Sequence, residues 1–145
     1  MKTKKIIALI LSALMLCIAT PALAADIEQI ANPQIATVKF VQLNSAYTNI
    51  RISGGAATCS GYAKAKSNSY TVKATLRLQK QSGTSWTTIS SWSGSGKGIT
   101  GVTFSKTKSG LSTGQYRTSL YVSVYNSNNK FIESTTVNSA SNIVK

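Results

Sequence analysis

Between residues 115 and 125 the chain alternates without a break. Tyr116, Thr118, Leu120, Val122 and Val124 take one phase, and Arg117, Ser119, Tyr121, Ser123 and Tyr125 take the other. Residues 71–80 repeat the pattern, with Val72, Ala74, Leu76 and Leu78 set against Lys73, Thr75, Arg77 and Gln79. A period of two sustained over such lengths belongs to extended strands with one buried face, because a helix would scatter these side chains around its circumference. The two segments therefore demand a sheet and say which side of it is core.

Shorter runs of β-favouring residues fill the rest, at 37–43, 47–52, 56–65, 85–92, 99–106 and 131–137. Turn-forming residues separate most of them: Gly54-Gly55, Ser67-Asn68, residues 94–98, Ser109-Gly110 and residues 126–129. Gln81-Ser82-Gly83-Thr84 is short enough to close a hairpin between 71–80 and 85–92. No helical period and no solenoid or propeller repeat is present. The chain is expected to be all-β.

The spacing is most informative at Leu111-Ser112-Thr113-Gly114-Gln115-Tyr116. A Leu, a Gly and then a Tyr entering a long alternating strand match the tyrosine corner of Ig-like sandwiches. On that template 115–125 is strand F, 71–80 is C, 85–92 is C′, 56–65 is B and 47–52 is A. The expected fold is an Ig-like antiparallel β-sandwich of about seven to eight strands. In antibody domains a cysteine two residues after the corner Tyr bridges to strand B. Here that position is Thr118, and Cys59 stands on strand B without a mate. The sandwich survives this departure; a true antibody-type domain does not.

The N-terminus reads as a secretory leader. Lys2, Lys4 and Lys5 precede an apolar stretch from Ile6 to Ile18, followed by Pro21 and the small-residue box Ala22-Leu23-Ala24. A membrane-spanning helix needs about 20 apolar residues, more than this stretch supplies. The expected organisation is a signal peptide over 1–24, cleaved after Ala24, a mobile lead-in over 25–34 and one domain over 35–145. The leader holds three of the 16 basic residues and none of the three acids, so a net charge of +13 becomes 13 − 3 = +10. Cys17 leaves with it, so Cys59 is either a small buried strand residue or a thiol that pairs between molecules.

Ala57-Thr58-Cys59, Leu78-Gln79-Lys80, Trp86, Trp92-Ser93 and Gly114-Gln115-Tyr116-Arg117 together resemble a family of small, uncharacterised secreted proteins of Gram-positive bacteria. The resemblance spans roughly residues 45–140. It implies an Ig-like extracellular domain and carries over no catalytic or binding residue.

Catalysis finds little to work with. The chain has no histidine, which removes every His-based triad. Outside 1–34 its only acidic side chain is Glu133, so the paired carboxylates of ordinary glycosidases are missing. One cysteine and scattered acids do not assemble a zinc or calcium site, and no Gly-rich phosphate loop opens a helix. A Ser–Lys dyad is the one nucleophilic arrangement that composition permits, and no spacing singles one out. The reading is therefore non-enzymatic, with no cofactor and no metal.

Binding is the better prospect. If C and F are neighbours, Lys73 and Arg77 share an outer face with Arg117, Tyr121 and Tyr125, and cations interleaved with aromatics suit a polyanion or acidic glycan. Trp86 and Trp92 are six apart, which puts both rings on one side of the sheet unless a bulge intervenes. That side is either a stacking platform for a sugar ring or core. The expected ligand-binding residues are Lys73, Arg77, Arg117, Tyr121, Tyr125, Trp86 and Trp92. The expected partner is an anionic wall or surface polymer, with no dedicated nucleic-acid site and no membrane span once the leader is removed. A protein-interaction module using a sheet edge is a second reading, and a cationic toxin or antimicrobial a third.

Intact-mass analysis of the exported protein tests the leader directly: the mass should begin at Ala25. Protein found only in membranes with Lys2 to Lys5 attached would contradict it.

Overall fold

A computed structural model of the protein describes residues 40–145. The leader, its cleavage site, the lead-in and the first half of the 37–43 segment lie outside the described residues. Eight strands follow: β1 (Leu43–Ser53), β2 (Ala56–Ala65), β3 (Thr71–Ser82), β4 (Ser85–Lys97), β5 (Val102–Lys108), β6 (Gly114–Tyr125), β7 (Phe131–Asn138) and β8 (Asn142–Val144). They form two antiparallel sheets, one in the order β1-β2-β5 and the other in the order β4-β3-β6-β7, with β8 also paired to β6. This is the expected antiparallel β-sandwich, with the strands expected as A and B in one layer and those expected as C′, C and F in the other.

The two alternating segments pair with each other. β3 and β6 run in unbroken register from Thr71↔Tyr125 to Lys80↔Tyr116, with Leu76 opposite Leu120. Val72, Leu76, Leu78, Leu120, Val122 and Val124 are fully buried on the inner face. Complete burial of each such side chain contributes about 1.5–3 kcal/mol. Opposite them β2 presents Ala57, Cys59, Gly61, Ala63 and Ala65, all buried. This small strand accommodates the large residues of β3 and β6, so the layers interdigitate.

Tyr116 closes the corner. Its ring is 1 % exposed, and its hydroxyl donates to the Ser112 carbonyl at 2.7 Å. Lys80 Nζ lies 5.7 Å from the centroid of the same ring and donates to Ser112 Oγ at 2.7 Å. Cys59 is completely buried and free, and burial pushes its thiol pKa up to about 11. Buried strand residue is thus the alternative the fold adopts.

No disulfide joins the layers among the described residues; polar contacts of β1 do so. Thr48 Oγ1 donates to the Ser60 carbonyl at 3.0 Å and lies 2.9 Å from Oγ1 of Thr118, the residue standing in the antibody cysteine position. Asn142 Nδ2 donates to the Ile50 carbonyl at 3.0 Å. At the start of β1 the Glu133 carboxylate accepts three backbone N–H groups, from Val41 at 3.0 Å, Gln42 at 2.7 Å and Leu43 at 2.6 Å.

Several boundaries differ from expectation. Residues 40–42 are not strand, and β1 starts at Leu43 and runs on through Ala46 into the expected 47–52 strand. β4 does not stop at Trp92 but continues to Lys97, so residues 94–98 are mostly strand rather than a separator. The reason is close packing. A Cβ at Gly96 would lie 1.7 Å from the Gly101 carbonyl oxygen, so only glycine lets β4 approach the chain entering β5. β5 begins at Val102, after a turn closed by Gly101 N–H donating to the Lys97 carbonyl at 2.8 Å. β8, absent from the expected set, continues the edge after β7, and between them Ser139 N–H donates to the Thr118 carbonyl at 2.9 Å.

Tyr116→Phe keeps the ring and removes its bond to Ser112. Chemical denaturation should show a loss of about 1 kcal/mol or more, and an unchanged midpoint would deny the corner its structural role.

Candidate ligand-binding face

The β3–β6 register decides what lies on the outside of the larger sheet. With even-numbered residues of both strands in the core, odd-numbered ones face out. Lys73 pairs with Ser123, Thr75 with Tyr121, Arg77 with Ser119 and Gln79 with Arg117. Lys73, Arg77, Arg117, Tyr121 and Tyr125 therefore share one face, as their alternation implied. Lys73 and Arg77 stand four residues apart on one strand, a spacing of about 13 Å.

Aromatic rings hold two of the cations. Lys73 Nζ sits 4.3 Å from the Tyr125 ring centroid, and the Arg117 guanidinium carbon sits 4.3 Å from the Trp86 ring centroid. Such contacts contribute about 0.5–1 kcal/mol each at exposed sites, and they fix where the charge is. Arg117 Nε also donates to Gln79 Oε1 at 2.9 Å. Partial burial under these neighbours lowers the Arg117 pKa, and an arginine remains charged regardless. Tyr125 is buttressed by Phe131 of β7, edge to face at 5.9 Å. Tyr121 is 38 % exposed between the two cation–aromatic units.

Trp86 and Trp92 do not share a side. β4 pairs with β3 as Leu78↔Ser90 but Gln79↔Thr88, so Ile89 is an extra, bulged residue. The bulge reverses the phase of everything before it. Trp92 pairs with the buried Leu76 and packs against the core, whereas Trp86 pairs with Gln81 and lies under Arg117 on the outer face. Of the two proposed stacking residues, Trp86 joins the candidate face and Trp92 does not.

β4, with its extension to Lys97, adds residues to this face that the expected set lacks. Ser91, Ser93 and Ser95 pair with Arg77, Thr75 and Lys73, and Lys97 pairs with Thr71. Alternation of these serines with Trp92, Gly94 and Gly96 was the available signal. Lys73, Thr75, Ser93, Ser95, Tyr121 and Ser123 line an open depression of about 360 Å³. The outer face of the smaller sheet carries a different cluster, Tyr47 stacked on Tyr62 at 5.7 Å with Lys64 Nζ 5.7 Å from the Tyr62 ring.

The larger face thus presents Lys73, Arg77, Lys97 and Arg117 with hydroxyls and rings between them. Glu133, the only acidic side chain among the described residues, is committed to the backbone of residues 41–43. No carboxylate side chain there competes for the cations. Among the described residues no three His, Cys, Asp or Glu side chains come together to hold a metal ion, and no helix is long and apolar enough to cross a membrane. No protein-family model matches the chain, and no curated protein matches it either.

Proposed function

We propose that the protein is an exported, non-enzymatic binding module that holds an anionic cell-surface or cell-wall polymer, or an acidic glycan, against the outer face of the larger sheet. The observation that carries this reading is the placement of Lys73, Arg77 and Arg117 on one face, two of them held on aromatic rings, with the only acidic side chain of the described part occupied elsewhere. A flat sheet lined with cations and rings suits an extended chain, whose charges meet the cations while its carbon skeleton lies on the rings. The leader and the resemblance to small secreted proteins of Gram-positive bacteria support an extracellular setting, where such polymers are found.

A second reading has one observation of its own. β4 is an edge strand, and apart from the bulge at Ile89 it carries from Ser85 to Gly96 neither a charged side chain nor a proline, two of the usual protections against strand addition. That would make the edge a contact for another protein strand. Its signature is self-association or partner binding that is indifferent to salt.

Binding of a polyanion should fade with salt, because the screening length falls from about 10 Å at 0.1 M to about 3 Å at 1 M. Lys73→Gln, Arg77→Gln and Arg117→Gln combined should weaken binding more than Lys106→Gln, Lys108→Gln and Lys130→Gln combined. Both sets remove the same charge, so the comparison isolates placement. Equal losses would refute the face, and no loss from either would refute polyanion binding.

A further inference from the structure

The depression on the candidate face has a chemistry narrower than positive charge. Its only ionic group is the ammonium of Lys73, held beside the Tyr125 ring. The remaining polar groups are hydroxyls drawn from three strands. Thr75 Oγ1 and Ser93 Oγ lie 2.9 Å apart and share one proton between them, so the pair keeps a second proton to donate. Ser123 Oγ donates to the Lys73 carbonyl at 3.3 Å, which spends its proton and fixes the Lys73 backbone. Ser95 is exposed, and Tyr121 is 38 % exposed; both are hydroxyl-bearing residues that line the depression. The pocket is therefore rich in hydroxyl donors contributed by three different strands, and no carboxylate lines it.

These donors suit one class of anion better than another. A carboxylate is planar and is matched by parallel donors, above all the arginine fork. No arginine lines the depression: Arg77 stands beyond it on β3, and Arg117, farther along the face, is committed to Gln79 and Trp86. A phosphodiester is tetrahedral, and its two charged oxygens accept in divergent directions, which a point-charge ammonium and scattered hydroxyls can satisfy. Its ester carbons can rest on the Tyr121 ring. The volume of about 360 Å³ exceeds many times the roughly 30 Å³ that one water occupies in the liquid, leaving room for the phosphate and its flanking alcohol carbons.

We infer that this depression is a phosphodiester subsite, in which Lys73 neutralises one phosphate and the hydroxyls of Ser93, Ser95 and Tyr121 donate to its oxygens. The inference rests on the reading that this face binds a polyanion, and it names the polymer class: alcohols joined by phosphodiesters rather than a carboxylate-bearing glycan. Arg77, about 13 Å along β3, meets a later phosphate of the same chain.

The test compares a poly(glycerol phosphate) oligomer with a polygalacturonate of matched charge, each titrated into the full exported protein at one salt concentration. The wild type should prefer the phosphodiester by about tenfold or more, the scale of one or two hydrogen bonds to a charged group. Tyr121→Phe with Ser95→Ala keeps every charge and the ring. It should erase most of that preference and leave polygalacturonate binding unchanged. Equal affinity of the wild type for both polymers would overturn the subsite. If the Lys73, Arg77 and Arg117 triple variant still weakened both polymers, the face would stand without it. If that variant weakened neither, the face would fall as well.

Discussion

The ladder between β3 and β6 is the constraint on which the rest of the structure depends. Its register sends Val72, Leu76, Leu78, Leu120, Val122 and Val124 into the core and Lys73, Arg77, Arg117, Tyr121 and Tyr125 outward in the same stroke. A slip of one residue would bury the cations and expose the leucines, so the energy of the core enforces the composition of the outer face. The Tyr116 hydroxyl bond to Ser112 anchors one end of β6. Folding stability and the arrangement of the candidate site are thus two consequences of a single pairing.

The smaller sheet is attached through its edge strand. β1 and the residues just before it reach the larger sheet through Thr48 to Thr118, through Asn142 to the Ile50 carbonyl, and through Glu133 to the backbone N–H groups of Val41, Gln42 and Leu43. The first of these involves Thr118, the position from which an antibody-type disulfide would reach strand B. The Glu133 contacts have an electrostatic consequence too. An acidic side chain bound to β1 is withheld from the cation-bearing face, which keeps a field of one sign.

Legibility in the sequence followed the strength of the local signal. The alternation of β3 and β6 was complete enough to assign faces, and Gly114 followed by Tyr116 was enough to orient them as strands C and F. The bulge at Ile89 was not readable, because it exists only relative to β3 and the surrounding Ser and Thr residues carry no apolar phase. For that reason the even spacing of Trp86 and Trp92 points to one side, whereas the bulge places them on two. Residues 93–96 were hidden differently: Ser-Gly-Ser-Gly resembles a linker locally, and its glycines are explained only by the approach of Gly101 and Val102 at the start of β5. Short β8 has too few residues to show any period, and its partner, the start of β6, is distant in sequence.

The central claim is that one face of the sandwich, the outside of β4, β3, β6 and β7, takes the polyanion. Amide chemical-shift mapping on isotope-labelled protein titrated with a poly(glycerol phosphate) oligomer tests it most directly. The account predicts perturbations concentrated at Lys73, Thr75, Arg77, Ser93, Arg117 and Tyr121 and reversed by salt. Perturbations centred on Tyr47, Tyr62 and Lys64, or spread evenly over both sheets, would contradict it.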